Sequence, residues 1–122
     1  MTDSEFTYKV SLDTHRQTTY SIGVRLDPTI DNVESFAAIL FFALKDGTRV
    51  QIAKVDNTLH SDQPAIHVDR YYREPNHELK DFDTDIETWM EAEAYLRDNW
   101  QRFVRTYRRN YGDAPRPDDK NT

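Results

Sequence analysis

The chain begins with two segments in which apolar and polar residues alternate. From Phe6 to Leu12 every second residue is apolar, and Tyr20 to Leu26 repeats the pattern. A period of two predicts a half-buried β-strand in each segment. The polar residues 13–16 between them have the length of a hairpin loop, so we predict antiparallel pairing. Asp27-Pro28 is expected to end the second strand, because proline cannot donate to a strand ladder.

Residues 34–45 are apolar at both odd and even positions. This pattern indicates either a strand covered on both faces or a buried helix. The Asp46-Gly47 pair that follows favours a type I′ hairpin turn, and strand-forming residues return at 50–55. We therefore predict a second hairpin, with a helix over 34–45 as the alternative.

A polar loop at 56–64 leads to a fifth predicted strand near residues 65–73. If Ile66 and Val68 face the core, His67, Asp69 and Tyr71 share the opposite face.

The C-terminal segment has the pattern of an amphipathic helix over 85–111. Its apolar residues recur at three- and four-residue steps: Ile86, Trp89, Ala92, Leu96, Trp100, Phe103 and Tyr107. Thr84 and Glu87 have the spacing of a capping box, and Gly112 is placed to end the helix. Acidic residues come early and arginines late, the order that the helix dipole prefers.

These elements predict one α+β domain over residues 1–112. We expect an antiparallel meander of about five strands, curled into a half-barrel, with one long C-terminal helix packed on one face. The strand with two apolar faces needs a second cover, either from this curling or from a second copy in a homodimer. Residues 113–122 lack apolar content and are predicted to be a disordered C-terminal tail.

The composition narrows the class of protein. The chain has 122 residues and no cysteine, which excludes disulfides and thiolate metal sites. Its longest apolar run is too short for a membrane span and its N-terminus lacks a basic start, so we expect a cytoplasmic protein without membrane contact. Asp outnumbers Glu 15 to 7 and Arg outnumbers Lys 11 to 5, a usage typical of halophilic archaea. The net charge of −6 argues against broad nucleic-acid binding, although a local basic patch can override it.

The candidate chemistry lies in the predicted loop and fifth strand. The candidate catalytic residues are Asp56, His60, His67, Asp69, Arg70 and Tyr71. Two histidines can deprotonate a ribose 2′-OH and protonate the 5′-leaving oxygen near neutral pH. Asp69 would orient a histidine, and Arg70 with Tyr71 would hold the phosphate. This chemistry needs no metal and no cofactor.

Two other interpretations fit the same residues. Asp56-Asn57 can be a turn that follows a strand, with the histidines and charges simply solvated. Alternatively, His60 and His67 with Asp69 or Asp56 can form a metal site of two histidines and one carboxylate.

The arginines late in the helix form a second candidate site. Arg102, Arg105 and Arg109 share one helix face and can contact phosphates in a row, so we name them as RNA-binding residues. Compensation of the helix dipole, or an acidic protein partner, would explain the same surface. The chain has no phosphate-binding glycine loop, no G-x-S-x-G and no H-E-x-x-H.

Four features of the chain together resemble the TumE-type toxins of toxin–antitoxin modules. They are Val55-Asp56-Asn57, His60, the segment Ile66-His67-Val68-Asp69-Arg70-Tyr71 and the aromatic-rich helix. They also resemble small haloarchaeal proteins. The resemblance covers roughly residues 48–105. In the toxin family an aspartate-asparagine pair precedes two histidines separated by one residue, and here Asp69 replaces the second histidine.

The resemblance and the candidate residues together predict a toxin-like, metal-independent ribonuclease, with RNA as substrate and an antitoxin protein as partner. The alternative is a non-enzymatic interaction module of a halophilic archaeon, acting as a homodimer or an adaptor.

Overall fold

The computed structural model describes residues 6–15, 18–57, 66–74, 80–81 and 85–115. These residues form one antiparallel sheet and one helix. The strands are β1 (Tyr8–His15), β2 (Thr18–Thr29), β3 (Asn32–Ala43), β4 (Arg49–Asp56), β5 (His67–Asp69) and β6 (Lys80–Asp81), and the helix is α1 (Trp89–Tyr111). The strands follow one another across the sheet in chain order, and the sheet stays open. The predicted α+β fold, a meander with a C-terminal helix on one face, is confirmed.

Helix α1 covers one face of the sheet, which we call the helix face. Its buried residues recur at the spacing of one helix stripe and are Ala92, Leu96, Phe103, Val104 and Tyr107. They pack against every second residue of β2 and β3, and against four residues of β4: Val50, Ile52, Ala53 and Val55. This apolar layer is the main core, as expected where a helix stripe meets a pleated sheet.

Strand β3 is buried on both sides, which settles the choice between strand and helix over 34–45. Phe36, Ala38, Leu40 and Phe42 belong to the main core, whereas Ala37, Ile39 and Phe41 form a smaller cluster on the opposite face. We call this opposite side the second face. The Phe6 ring stacks on Phe41 there, with ring centroids 5.6 Å apart, so the chain's own N-terminal segment supplies part of the predicted second cover.

Both hairpins differ in detail from their predictions. β1 runs to His15 and β2 starts at Thr18, so the first loop is shorter than residues 13–16. β2 also continues past Pro28 to Thr29, because a register shift at that point removes the need for a donor there. Beyond the strand ends the Leu44 N–H donates to the Thr48 carbonyl, which leaves a three-residue loop at 45–47. In this loop the Gly47 N–H donates to the Leu44 carbonyl and Gly47 has φ 90°. A three-residue loop with one left-handed glycine replaces the predicted type I′ turn.

The helix starts four residues later than predicted. Its N-cap is Thr88, whose Oγ1 accepts a hydrogen bond from the Glu91 backbone at 3.1 Å, rather than Thr84, which lies outside the described residues. Glu91 completes the cap by accepting from the backbone of Glu87. The predicted end is confirmed, since the Gly112 N–H donates to the Arg108 carbonyl.

A polar contact ties β1 to α1. The Tyr8 hydroxyl donates to the Glu93 carboxylate, which also accepts from Arg97 one turn along the helix. Burial by itself would raise the pKa of Glu93, but the Tyr8 hydrogen bond and the Arg97 charge outweigh it and lower that pKa. Burial and the bond to Glu93 raise the pKa of Tyr8.

The predicted disordered tail is only partly within the described residues. Ala114 accepts a hydrogen bond from the Tyr107 hydroxyl at 2.7 Å, so contacts with the domain extend at least to that residue. Residues 116–122 lie outside the described part of the chain. No helix in the described part is both long and apolar enough to span a membrane.

Candidate functional site

The pairing of β4 with β5 gathers polar residues on the second face. Three cross-strand pairs define the register: Lys54 with Asp69, Val55 with Val68, and Asp56 with His67. The two valines are fully buried in the main core. Because side chains alternate along a strand, the four polar residues lie on the other side of the sheet. His67 and Asp69 thus share the face opposite Val68, as the alternation predicts.

Three of these side chains form a compact group, which we call the Asp–His–Asp cluster: Asp56, His67 and Asp69. The Nε2 atom of His67 lies 2.7 Å from Asp56 Oδ1 and 3.7 Å from Asp69 Oδ2. One ligand-type atom from each residue lies within 4.8 Å of the other two. A single proton or a single cation can therefore interact with all three groups.

The cluster is buried, with exposed fractions of 5% for Asp56, 1% for His67 and 3% for Asp69. Lys54 stands at its solvent side, with 26% of its side chain exposed. Its Nζ lies 3.5 Å from Asp56 Oδ2 and 3.8 Å from Asp69 Oδ2. When His67 is neutral, the charges of the two carboxylates and the Lys54 ammonium add up to one net negative charge. Burying such a charge is unfavourable unless a proton or a cation balances it.

The contact between His67 and Asp56 has an unusual geometry. The two atoms are only 2.7 Å apart, yet the imidazole N–H does not point at the oxygen, and Asp56 Oδ1 has no aligned donor among the described residues. The distance is that of an ion pair, and the direction is not that of a hydrogen bond. Asp56 Oδ1 thus keeps an unused acceptor inside the cluster.

The neighbouring Asn57 has a structural role. Its Oδ1 accepts from the Phe36 backbone at 2.9 Å, and its Nδ2 donates to the Glu34 carbonyl at 3.2 Å. The side-chain amide thereby extends the pairing of β3 and β4 by one residue beyond the strand end. Asn57 fixes the backbone on which Asp56 is mounted.

The predicted phosphate-binding residues, Arg70 and Tyr71, do not continue the strand. β5 ends at Asp69 and the chain turns, with the Arg73 N–H bonded to the Arg70 carbonyl. The Arg70 guanidinium donates to the Tyr95 hydroxyl of α1 at 2.7 Å. The strand predicted near 65–73 is therefore too long, because contacts with the helix compete with the local alternation.

Further contacts hold this turn on the helix. The Tyr72 ring stacks on Phe103 with centroids 4.6 Å apart, and Asn110 donates to the Tyr72 carbonyl. Tyr71, in the turn, is half-buried. These contacts assign Arg70 a role in attaching β5 to α1. His60, the second proposed acid–base group, lies outside the described residues.

The three predicted RNA-binding arginines are all exposed on α1. Arg102 stacks over Phe103 and donates to Asn99, whereas Arg105 lines an open cleft of about 570 Å³ between α1 and the first hairpin. The other lining residues are Asp13, Tyr20, Trp100, Gln101, Val104 and Arg108. Arg109 is not among them. The cleft and the Asp–His–Asp cluster lie on opposite faces of the sheet.

Lys54 is the member of this site that sequence reasoning missed. Part of the signal was present, because Lys54 lies in the predicted strand over 50–55 and Asp56 follows two residues later, which gives both side chains the same face if the strand continues to Asp56. The strand following it carries His67 and Asp69 with the same two-residue spacing. Antiparallel pairing of two such strands sets all four residues side by side, but only one of the possible registers does so.

No curated protein and no solved structure matches this chain significantly. One family model covers residues 1–113, nearly the whole chain. The chain belongs to that family, described as a domain of unknown function, DUF7718.

Proposed function

We propose that this protein cleaves RNA as a toxin of the TumE type, and that the Asp–His–Asp cluster with Lys54 is its reactive centre. One observation carries the proposal. Asp56 and the pair His67 and Asp69 are separate pieces of the motif on which the resemblance rests, and they lie within 4.8 Å of one another. Convergence of a split motif is expected where its residues act together.

The geometry supports a role for each member of the cluster. His67 serves as the general base that takes the proton of the attacking hydroxyl, because imidazole exchanges protons near neutral pH. Asp56 and Asp69 both lie near its Nε2 atom and balance the positive charge that results. Lys54 is the partly exposed cation beside them, so it is better placed than Arg70 to stabilise charge on the phosphate.

The burial of His67 sets a condition on this proposal. With 1% of the residue exposed, RNA must reach the cluster from the side of Lys54, and that side must open during turnover. The expected protein partner is an antitoxin that keeps it closed or covered.

The same burial favours a second candidate function, a non-enzymatic interaction module. In that case the cluster only holds β4 and β5 together, and the cleft lined by Arg105 and Arg108 binds an acidic partner protein. The two candidates differ in what happens when His67 is changed.

The test compares RNA integrity on incubation with the purified protein and with the variants His67→Gln and Asp69→Asn. We expect the native protein to cleave RNA and both variants to lose at least about a hundredfold in rate, the usual contribution of a general base. Asp98→Asn is the matched control, since Asp98 is exposed on α1 and the substitution removes the same charge. Circular dichroism establishes that each variant is folded.

Absence of cleavage by the native protein across a panel of structured and single-stranded RNAs would refute the ribonuclease proposal. A stable complex with an acidic protein that survives His67→Gln but not Arg105→Ala would then establish the interaction module.

A further inference from the structure

We infer that the Asp–His–Asp cluster binds a divalent transition-metal ion through Asp56 Oδ1, His67 Nε2 and Asp69 Oδ2. The inference goes beyond the proposed function, which needs no metal, and concerns the same residues. It depends on two independent observations. The three ligand-type atoms converge within 4.8 Å, and one of them, Asp56 Oδ1, is buried without an aligned hydrogen-bond donor among the described residues.

The distances between these atoms suit a shared ion. Ligands that bind one ion at about 2.0–2.2 Å lie roughly 3.0–3.5 Å apart in tetrahedral or octahedral geometry. The observed separations of 2.7 Å and 3.7 Å from His67 Nε2 bracket that range. The misaligned contact with Asp56 has the same explanation, because two ligands direct lone pairs at the ion rather than a proton at each other.

The charges also favour a cation. With His67 neutral, as a ligand must be, the cluster and Lys54 together carry one negative charge in a buried site. A divalent ion reverses that charge. Lys54 pairs with Asp56 through Oδ2, which leaves Oδ1 for the ion. Its ammonium also lies 3.8 Å from Asp69 Oδ2, so its charge opposes that of a bound ion.

The donor set selects the kind of metal. One imidazole nitrogen with two carboxylate oxygens suits Zn²⁺ or Mn²⁺, whereas Mg²⁺ and Ca²⁺ prefer oxygen ligands only. Three protein ligands leave a coordination position for water, as in catalytic rather than structural zinc sites. With an ion bound, His67 Nε2 would be a ligand and could not act as the base, so a water molecule made acidic by the ion would take over the proton transfer beside Lys54.

The test is a calorimetric titration of the full chain, freed of metal with a chelator, with Zn²⁺, Mn²⁺ and Mg²⁺ in turn and without RNA. We expect one Zn²⁺ or Mn²⁺ per chain and much weaker uptake of Mg²⁺. Asp56→Asn and His67→Gln should each weaken Zn²⁺ binding by at least about tenfold. Asp98→Asn should leave it unchanged.

A further variant separates metal binding from mere structural damage. Lys54→Gln removes a positive charge that repels the ion, so it should strengthen Zn²⁺ binding, whereas a variant that only loosens the sheet would weaken it. The native titration needs no variant to fold. Failure of the native chain to take up any of the three ions at millimolar concentration would overturn the inference, as would uptake that persists in both ligand variants.

The outcome is independent of the proposed function. RNA cleavage by a native chain that takes up none of the three ions would overturn the metal site and leave the acid–base proposal standing. Stoichiometric metal uptake by a protein that cleaves no RNA would support the metal site and overturn the ribonuclease proposal.

Discussion

Gly23 offers a direct test of how the second face is covered. A Cβ built on Gly23 would lie 2.5 Å from Phe6 Cζ and 2.6 Å from two further ring atoms. The backbone of Gly23 is paired in β2 with both neighbouring strands, so alanine fits the backbone and only the Phe6 ring opposes it. We therefore predict that Gly23→Ala destabilises the protein by displacing that ring.

The size of the effect follows from what Phe6 loses. At such distances something must shift, and local shifts that make room for an extra methyl group cost about 1–3 kcal/mol. Alternatively, the Phe6 ring can move away. It then loses its stack on Phe41, worth about 0.5–1.5 kcal/mol. It also loses the cation–π contact with the Arg49 guanidinium, which lies 4.8 Å from the ring centroid and is worth about 0.5–1 kcal/mol. Alanine regains about 0.5–1 kcal/mol over glycine in a strand. The net loss is therefore about 1 kcal/mol, or about 4 °C in Tm for a chain of 122 residues.

Urea denaturation of a double-mutant cycle measures this coupling. In a Phe6→Ala background the added methyl meets no ring, so Gly23→Ala should be neutral or stabilising by a few tenths of a kcal/mol. Equal destabilisation in both backgrounds would refute the reasoning, because the methyl group would then be meeting something other than Phe6.

Three further predictions concern the helix. Thr88→Ala removes the N-cap and should cost about 1 kcal/mol in urea denaturation. Thr106→Ala is the control, a half-buried threonine within the helix whose hydroxyl bonds the Arg102 carbonyl, and it should be neutral or slightly stabilising. Phe103→Ala should cost about 3–5 kcal/mol from the fully buried core, against less than about 0.5 kcal/mol for the exposed Met90→Ala. Because the folded-state pKa of Glu93 is lowered, its stabilisation is present above its unfolded pKa and is lost as the pH falls through the folded pKa. Glu93→Gln should therefore flatten the acid limb of stability against pH, and an unchanged limb would contradict this assignment.

The strand and helix types were predictable because their periodicity reflects burial. β3 is apolar at both parities since Leu40 faces the helix and Ile39 the second face. The stripe of α1 was visible for the same reason, with Leu96 and Phe103 seven residues apart on its buried side. Where a pattern of apolar residues is compatible with only one packing arrangement, the local sequence is sufficient to predict the type of element.

The start of α1 and the end of β5 were less predictable, because more than one local pattern in the sequence fits each of them. Thr84 and Thr88 are each followed three residues later by glutamate, so both have the spacing of a capping box. The structure uses Thr88. The end of β5 likewise depends on Arg70 reaching Tyr95, a contact 25 residues away that no local window contains.

Part of the candidate site could be predicted and part could not. Asp56, His67 and Asp69 stood out by residue type and spacing, but their mutual distances depend on a register that the sequence leaves open. Lys54 belongs to the site only because this register pairs it with Asp69. Arg70 does not belong to the site, because the strand ends at Asp69 and the Arg70 side chain bonds Tyr95 of the helix instead.

The division of the sheet into two faces explains how this small domain can hold a charged cluster. The helix face buries the large apolar side chains and supplies most of the stability, so the second face is free to carry polar groups. Buried ionic groups seldom add to stability compared with apolar residues of similar volume, because desolvation offsets their attraction. A cluster whose buried Asp56 Oδ1 lacks an aligned donor adds still less. The Asp–His–Asp cluster therefore contributes little to the free energy of unfolding. Its geometry is better explained by a role in binding a proton or a metal ion.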